Sequence, residues 1–147
     1  MFDYNMILLD GSIDLTPDTD TPAVSTTRLD ATGAAVIDLG EGGTPASGLS
    51  CVLILPTATE DSDTLTAVLE VSDEEAFGDV ALNLQEVAKF SILAATKGEI
   101  ADTEPPAVVI RRFATDKRYV RLNATVTTGG DFKAVKCYLT PYEFTIL

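Results

Sequence analysis

The sequence predicts an all-β protein, a sandwich or barrel of about eight short strands. Three observations carry that expectation. Runs of β-branched and aromatic residues recur roughly every 8–15 residues, with Gly, Pro, Asp and Thr clusters between them. Within most runs apolar and polar residues alternate, the two-residue period of a strand with one buried face. The 147 residues show no internal repeat and no long linker, which suits one domain with a real core.

The elements follow in order. Met6-Ile-Leu-Leu9 is long enough for an edge strand. The segment from Asp10 to Pro22, rich in Asp, Thr and Pro, reads as an arm lying over a surface, because proline removes donors and Asp favours turns. Residues 1–34 are therefore expected to form an extended N-terminal arm with the first edge strand, and 35–147 a single β-sandwich domain. Ala35–Leu39 is a strand ending at the turn glycines Gly40-Glu-Gly-Gly43. Leu49–Leu55 is apolar on both faces, as a central or interface strand would be. Pro56 stops it, and 57–63 reads as an acidic turn. Thr64–Val71 alternates, with Leu65, Ala67, Leu69 and Val71 inward. Ser72–Gly78 is a polar loop whose Phe77 is expected to tuck down. Val80–Ala95 fits either a helical stripe or two short strands; strands turning near Gln85-Glu86 are expected, since every clear element is a strand. Lys97–Pro106 is a loop, Ala107–Phe113 a strand, and Tyr142, Phe144 and Ile146 alternate in a tail that suits another edge strand.

The strongest local signal spans Arg118–Thr140, where two β-forming runs flank Thr127-Thr-Gly-Gly130. That pattern predicts a hairpin. Val120, Leu122, Ala124 and Val126 would face the core with Val135, Cys137 and Leu139. Arg121 and Lys136 would then be cross-strand neighbours on the outer face, joined by Tyr119 and Tyr138, with Arg111, Arg112, Arg118 and Lys133 near the strand ends. Arg and Tyr are enriched at interfaces, so these eight residues are the candidate protein-interface set. The competing reading is that they pair with the abundant acids or guard a sheet edge.

Composition excludes much else. With no histidine, the commonest general base and the usual nucleophile systems are missing, which argues against an enzyme; no cofactor and no metal are expected. No apolar run reaches the roughly 18 residues of a membrane-spanning helix. Met1-Phe-Asp-Tyr-Asn lacks the basic start of a signal peptide, so synthesis in the cytoplasm is expected. Cys51 and Cys137 sit at inward positions and read as buried thiols; a disulfide requires that their strands be neighbours. The net charge of −13 is uneven. Residues 105–147 carry seven basic and three acidic side chains (+4), against three and 20 in residues 1–104 (−17). The total disfavours nucleic-acid binding but leaves a basic strip facing an acidic protein.

The remaining motifs are weak. Asp18-Thr-Asp20 and Asp61-Ser-Asp63 lack the glycine and distal glutamate of a calcium loop. Asp73-Glu-Glu75 reads as a charged loop tip, and no glycine pattern precedes a helix to make a phosphate site.

Ala35-Val-Ile-Asp-Leu-Gly40, Val71-Ser-Asp-Glu-Glu-Ala-Phe77 and above all Arg118-Tyr-Val-Arg-Leu-Asn-Ala-Thr-Val126 resemble the capsid cement, or decoration, proteins of tailed bacteriophages. The likeness runs from about Met6 to Leu139 and omits the 57–63 and 97–106 loops and the tail. It implies a jelly-roll-like antiparallel β-sandwich, often trimeric, on the outer capsid surface of the virion, bridging capsomers of the major capsid protein. The family has no catalytic residues to carry over. Two other classes remain open: a carbohydrate-binding or adhesion sandwich, which wants clustered exposed aromatics, and a carboxylate hydrolase, which wants two close acids in a pocket.

Overall fold

The computed structural model describes residues 6–16, 36–55, 57–58, 64–77, 85–93, 107–126 and 132–141. These form ten strands: β1 (Ile7–Asp10), β2 (Val36–Asp38), β3 (Leu49–Leu55), β4 (Thr57–Ala58), β5 (Thr64–Ser72), β6 (Gln85–Leu93), β7 (Ala107–Phe113), β8 (Tyr119–Val126), β9 (Phe132–Lys133) and β10 (Lys136–Thr140). The first sheet has the order β1-β10-β3-β7 and the second β2-β8-β5-β6, while β4 and β9 make a small ribbon. Every pairing is antiparallel.

The order has a simple logic. Of the eight strands in the large sheets, the first pairs with the last, β1 with β10. The second pairs with the seventh, the third with the sixth and the fourth with the fifth. A long antiparallel ribbon has been rolled up, and the contacts β10–β3 and β8–β5 join its turns into two sheets. This is the jelly roll, and the expected all-β sandwich is present.

Alternation builds the core. Leu49, Cys51, Leu53 and Leu55 of β3 and Cys137 and Leu139 of β10 face Leu65, Ala67, Leu69 and Val71 of β5 and Val120, Leu122, Ala124 and Val126 of β8, all in one buried cluster. β3, apolar on both faces, is the central strand its sequence predicts, held between β10 and β7. β1 is an edge strand as expected, and Leu8, Leu9 and Leu15 are buried in the same core. Backbone bonds of 2.9 Å in both directions tie Leu15 to Phe132. Met6–Thr16 is thus built into the sandwich rather than laid over it. The rest of the expected arm, the two Asp-x-Asp pairs, the 97–106 loop and the tail after Pro141 lie outside the described residues.

Three expectations are corrected. The Arg118–Thr140 hairpin does not form. Both runs are strands, but β8 sits between β2 and β5 while β10 sits between β1 and β3 in the opposite sheet. Arg121 and Lys136 are not cross-strand neighbours, nor are Tyr119 and Tyr138. Alternation fixes which face of a strand is buried, and both runs do face the core. It does not fix the neighbour, and in a jelly roll successive strands mostly change sheets. Second, Gln85 and Glu86 are not a turn but open the nine-residue strand β6. Its register against β5 passes from Leu69↔Ala88 to Glu70↔Glu86, skipping Val87. Such a bulge breaks the period-two count, which is why this stretch is ambiguous in sequence. Third, Thr57 and Ala58, expected within an acidic turn, form β4 against β9.

Candidate protein-interface faces

A sandwich has two outer faces, and the structure scatters the eight candidate residues over both faces, an edge, an end and the small ribbon. Tyr119 and Arg121 belong to the second sheet, and Arg118 immediately precedes its strand β8. Arg112, Lys136 and Tyr138 belong to the first. Arg111 is exposed on the edge strand β7, where its Nη1 donates to the Ile110 carbonyl at 3.1 Å. Lys133 lies on the small ribbon, 3.7 Å from Asp14.

On the second sheet's outer face Arg121 and Glu70 satisfy each other, while Glu86, across from Glu70 on β6, is exposed. Arg121 Nε donates to Glu70 Oε2 at 2.7 Å, and Asn123 Nδ2 donates to Oε1 of the same carboxylate at 3.1 Å. Glu70 is only 6% exposed. The register explains the meeting, since Glu70 lies directly across from Arg121. Phe77 covers the pair, its ring 4.3 Å from the Arg121 guanidinium carbon. The turn that delivers Phe77 uses the Ser72 hydroxyl to accept from Glu74 N–H, and the Glu74 carbonyl to accept from Phe77 N–H. Phe77 is buried as expected, at φ 50°, a left-handed conformation that costs a bulky residue of order 1–3 kcal/mol. Burial of the ring over a cation offsets that cost.

One end of the sandwich is laced in the same way. Arg118 grips Asp38 with two parallel bonds, Nε to Oδ1 at 2.9 Å and Nη2 to Oδ2 at 2.8 Å. That contact holds the Arg118 guanidinium in its charged form, its pKa raised further above the ordinary arginine range. Asp38 Oδ1 also accepts from Gly40 N–H, and Thr44 bonds the Thr115 backbone through both its own backbone and its hydroxyl. Lys117 pairs with Asp73, and the hydrogen bond between them raises the ammonium pKa above the ordinary lysine value. Gly43 must be glycine: φ is +71°, and a Cβ there would collide with the Thr115 carbonyl oxygen.

The first sheet's outer face has a different character. One cross-strand row reads Ile7, Tyr138, Val52 and Ile110; the next reads Asp10, Lys136, Ile54 and Val108. A third brings Thr140, Ser50 and Arg112 together. Val108 is 42% exposed, and Lys136 and Arg112 are exposed beside the half-buried Ile54, Ile110 and Tyr138. Partial burial pushes the Tyr138 phenol upward in pKa. The result is an apolar strip with Lys136 and Arg112 at its rim and Asp10 across from Lys136. Sequence reasoning named the basic members and missed Ile54, Val108 and Ile110; the β3 run apolar on both faces was the signal for Ile54, and Val108 and Ile110 lie on the neighbouring β7.

An open cleft of about 400 Å³ lies where Gly42, Thr44, Pro45 and Ala46 meet Thr115, Asp116 and Gln85. Its lining has one carboxylate and no aromatic ring. It therefore offers neither an acid pair for glycoside hydrolysis nor a stacking platform for a sugar. Among the described residues no group of three or more acidic or cysteine side chains is placed to hold a metal ion, and no helix is long and apolar enough to cross a membrane.

No family model matches this chain, and neither a curated protein nor a solved structure matches it.

Proposed function

We propose that this chain is a viral structural protein, a capsid cement or decoration protein that binds the outer surface of a phage head and bridges capsomers of the major capsid protein. The observation that carries the reading is the pairing of a jelly-roll scaffold with two unlike outer faces. On the second sheet Arg121, Glu70 and Asn123 bond one another, and at its end Arg118 pairs with Asp38. The first sheet presents Val108, Ile54 and Ile110 with Lys136 and Arg112 beside them. An apolar centre with a charged rim is the composition of a protein-binding patch. Jelly rolls occur in viral capsid and lectin domains, and the site, not the fold, has to choose between them. The cleft without an aromatic platform favours the shell over the sugar.

In this mechanism the first sheet's face rests on the shell and the second faces away. The partners are the major capsid protein and other copies of the chain, in a trimer; nucleic acid and membrane play no part. Three copies acting together bind more tightly than one contact allows. Because the staple fits only the assembled lattice, binding stabilises that lattice by mass action. Particles prepared without this chain are expected to release their DNA at lower temperature and under milder osmotic shock, and adding purified chain back should restore both. Equal survival with and without it contradicts the proposal.

A further inference from the structure

The two cysteines are spent on no surface contact and on no feature described so far beyond the core. Cys51 lies on β3 and Cys137 on β10, adjacent antiparallel strands of the first sheet. In register Cys51 faces Leu139 and Cys137 faces Leu53, so the two are diagonal neighbours on the inward face. Their sulfurs are 3.6 Å apart, in van der Waals contact, and both residues are fully buried. They are the only cysteines in the chain, so no other thiol competes for either.

We propose that Cys51 and Cys137 are a modification site: under oxidising conditions they form a core disulfide that locks β10 against β3. The chemistry needs a peroxide as oxidant. One thiol gives up its hydrogen and is converted to a sulfenic acid, and the peroxide leaves as water. The second sulfur attacks that sulfenic sulfur, the new S–S bond forms, and its proton leaves with the hydroxyl as a second water. Each peroxide takes two electrons from the thiol pair, so the balance closes. The approach needs a rotation about each Cα–Cβ bond and a modest drawing-in of the strands, since diagonal pairs sit near the outer limit of disulfide reach.

Burial sets the rate. Peroxide reaches the sulfurs only when the sandwich opens locally, so oxidation is slow in the folded chain. The position sets the consequence. β10 is the last strand of the roll, and it holds β1 on one side and β3 on the other. A bond from residue 51 to 137 closes a ring through every strand from β3 to β10. Such a long ring removes much of the unfolded chain's freedom. The lock is a property of the chain itself and does not depend on any shell.

The test uses the full chain, purified with reductant and then incubated with hydrogen peroxide below its melting temperature. The expected product is a monomer lighter by two hydrogens, with no thiol titratable in denaturant. Its melting temperature should rise on the order of 10 °C and return on reduction. Cys51→Ala and Cys137→Ala chains should show no peroxide-dependent rise. The proposal is overturned if both thiols of the wild type remain titratable, if the sulfurs gain oxygen instead of joining, if the bond links separate chains, or if either Ala variant keeps the rise.

Discussion

Arg121 decides how the basic residues of the C-terminal part are read. It lies across from Glu70, takes one oxygen of a 6%-exposed carboxylate, and is roofed by Phe77. Removing it leaves a desolvated negative charge whose only other described bond is from Asn123. Arg121→Ala should therefore cost about 1–3 kcal/mol, measured by denaturant unfolding, less than a fully buried pair because Arg121 keeps some water contact. Lys133→Ala, which breaks an exposed 3.7 Å pair with Asp14, should change stability by less than about 0.5 kcal/mol. The Lys117–Asp73 pair has a pH signature. The folded-state pKa of Lys117 is raised, so its contribution is full below the ordinary lysine value and is lost as pH climbs through the folded value. Thermal melts of the wild type and Lys117→Gln should differ near neutrality and converge at strongly alkaline pH.

At the scale of elements, the inward faces were legible in the sequence, while the partners were not. Leu65, Ala67, Leu69 and Val71 alternate in sequence and are all buried in the structure. The same holds for Val120, Leu122, Ala124 and Val126, because a strand's period states which side is dry. Nothing in that period names a neighbour, so β8 and β10 looked like a hairpin and are in opposite sheets. β6 was obscured by its bulge at Val87, and β4 by its shortness. The candidate interface followed the same rule. Its basic residues could be found by type, but only the strand order shows that Arg121 turns to one side of the molecule and Lys136 to the other. That division gives a further prediction. Arg112→Glu with Lys136→Glu should abolish attachment to the shell, measured by co-sedimentation with particles lacking the chain, and leave the melting temperature within a few degrees, as surface changes do. Gly43→Val, in the laced end, should do the reverse: it should cost about 1–3 kcal/mol of stability through backbone strain and steric clash, while sparing the binding of the folded fraction.

For the whole molecule, the roll joins first strand to last and hides one continuous core between two sheets of unlike surface. The chain carries a net charge of −13, and the first sheet's outer face carries an apolar strip with Lys136 and Arg112 beside it and Asp10 across from Lys136. A staple for an assembled lattice needs a rigid scaffold, a face for the lattice, and an opposite face whose Arg121 and Glu70 are spent on each other. The proposal that the first sheet is the shell-facing side is tested most directly by a cryo-electron-microscopy map of particles carrying this chain. The expected map places three copies around three-fold and quasi-three-fold positions outside the shell, with Val108, Ile110 and Lys136 against the capsomers. A map in which the chain is missing from the shell, or meets it through the Arg121–Phe77 face, contradicts the account.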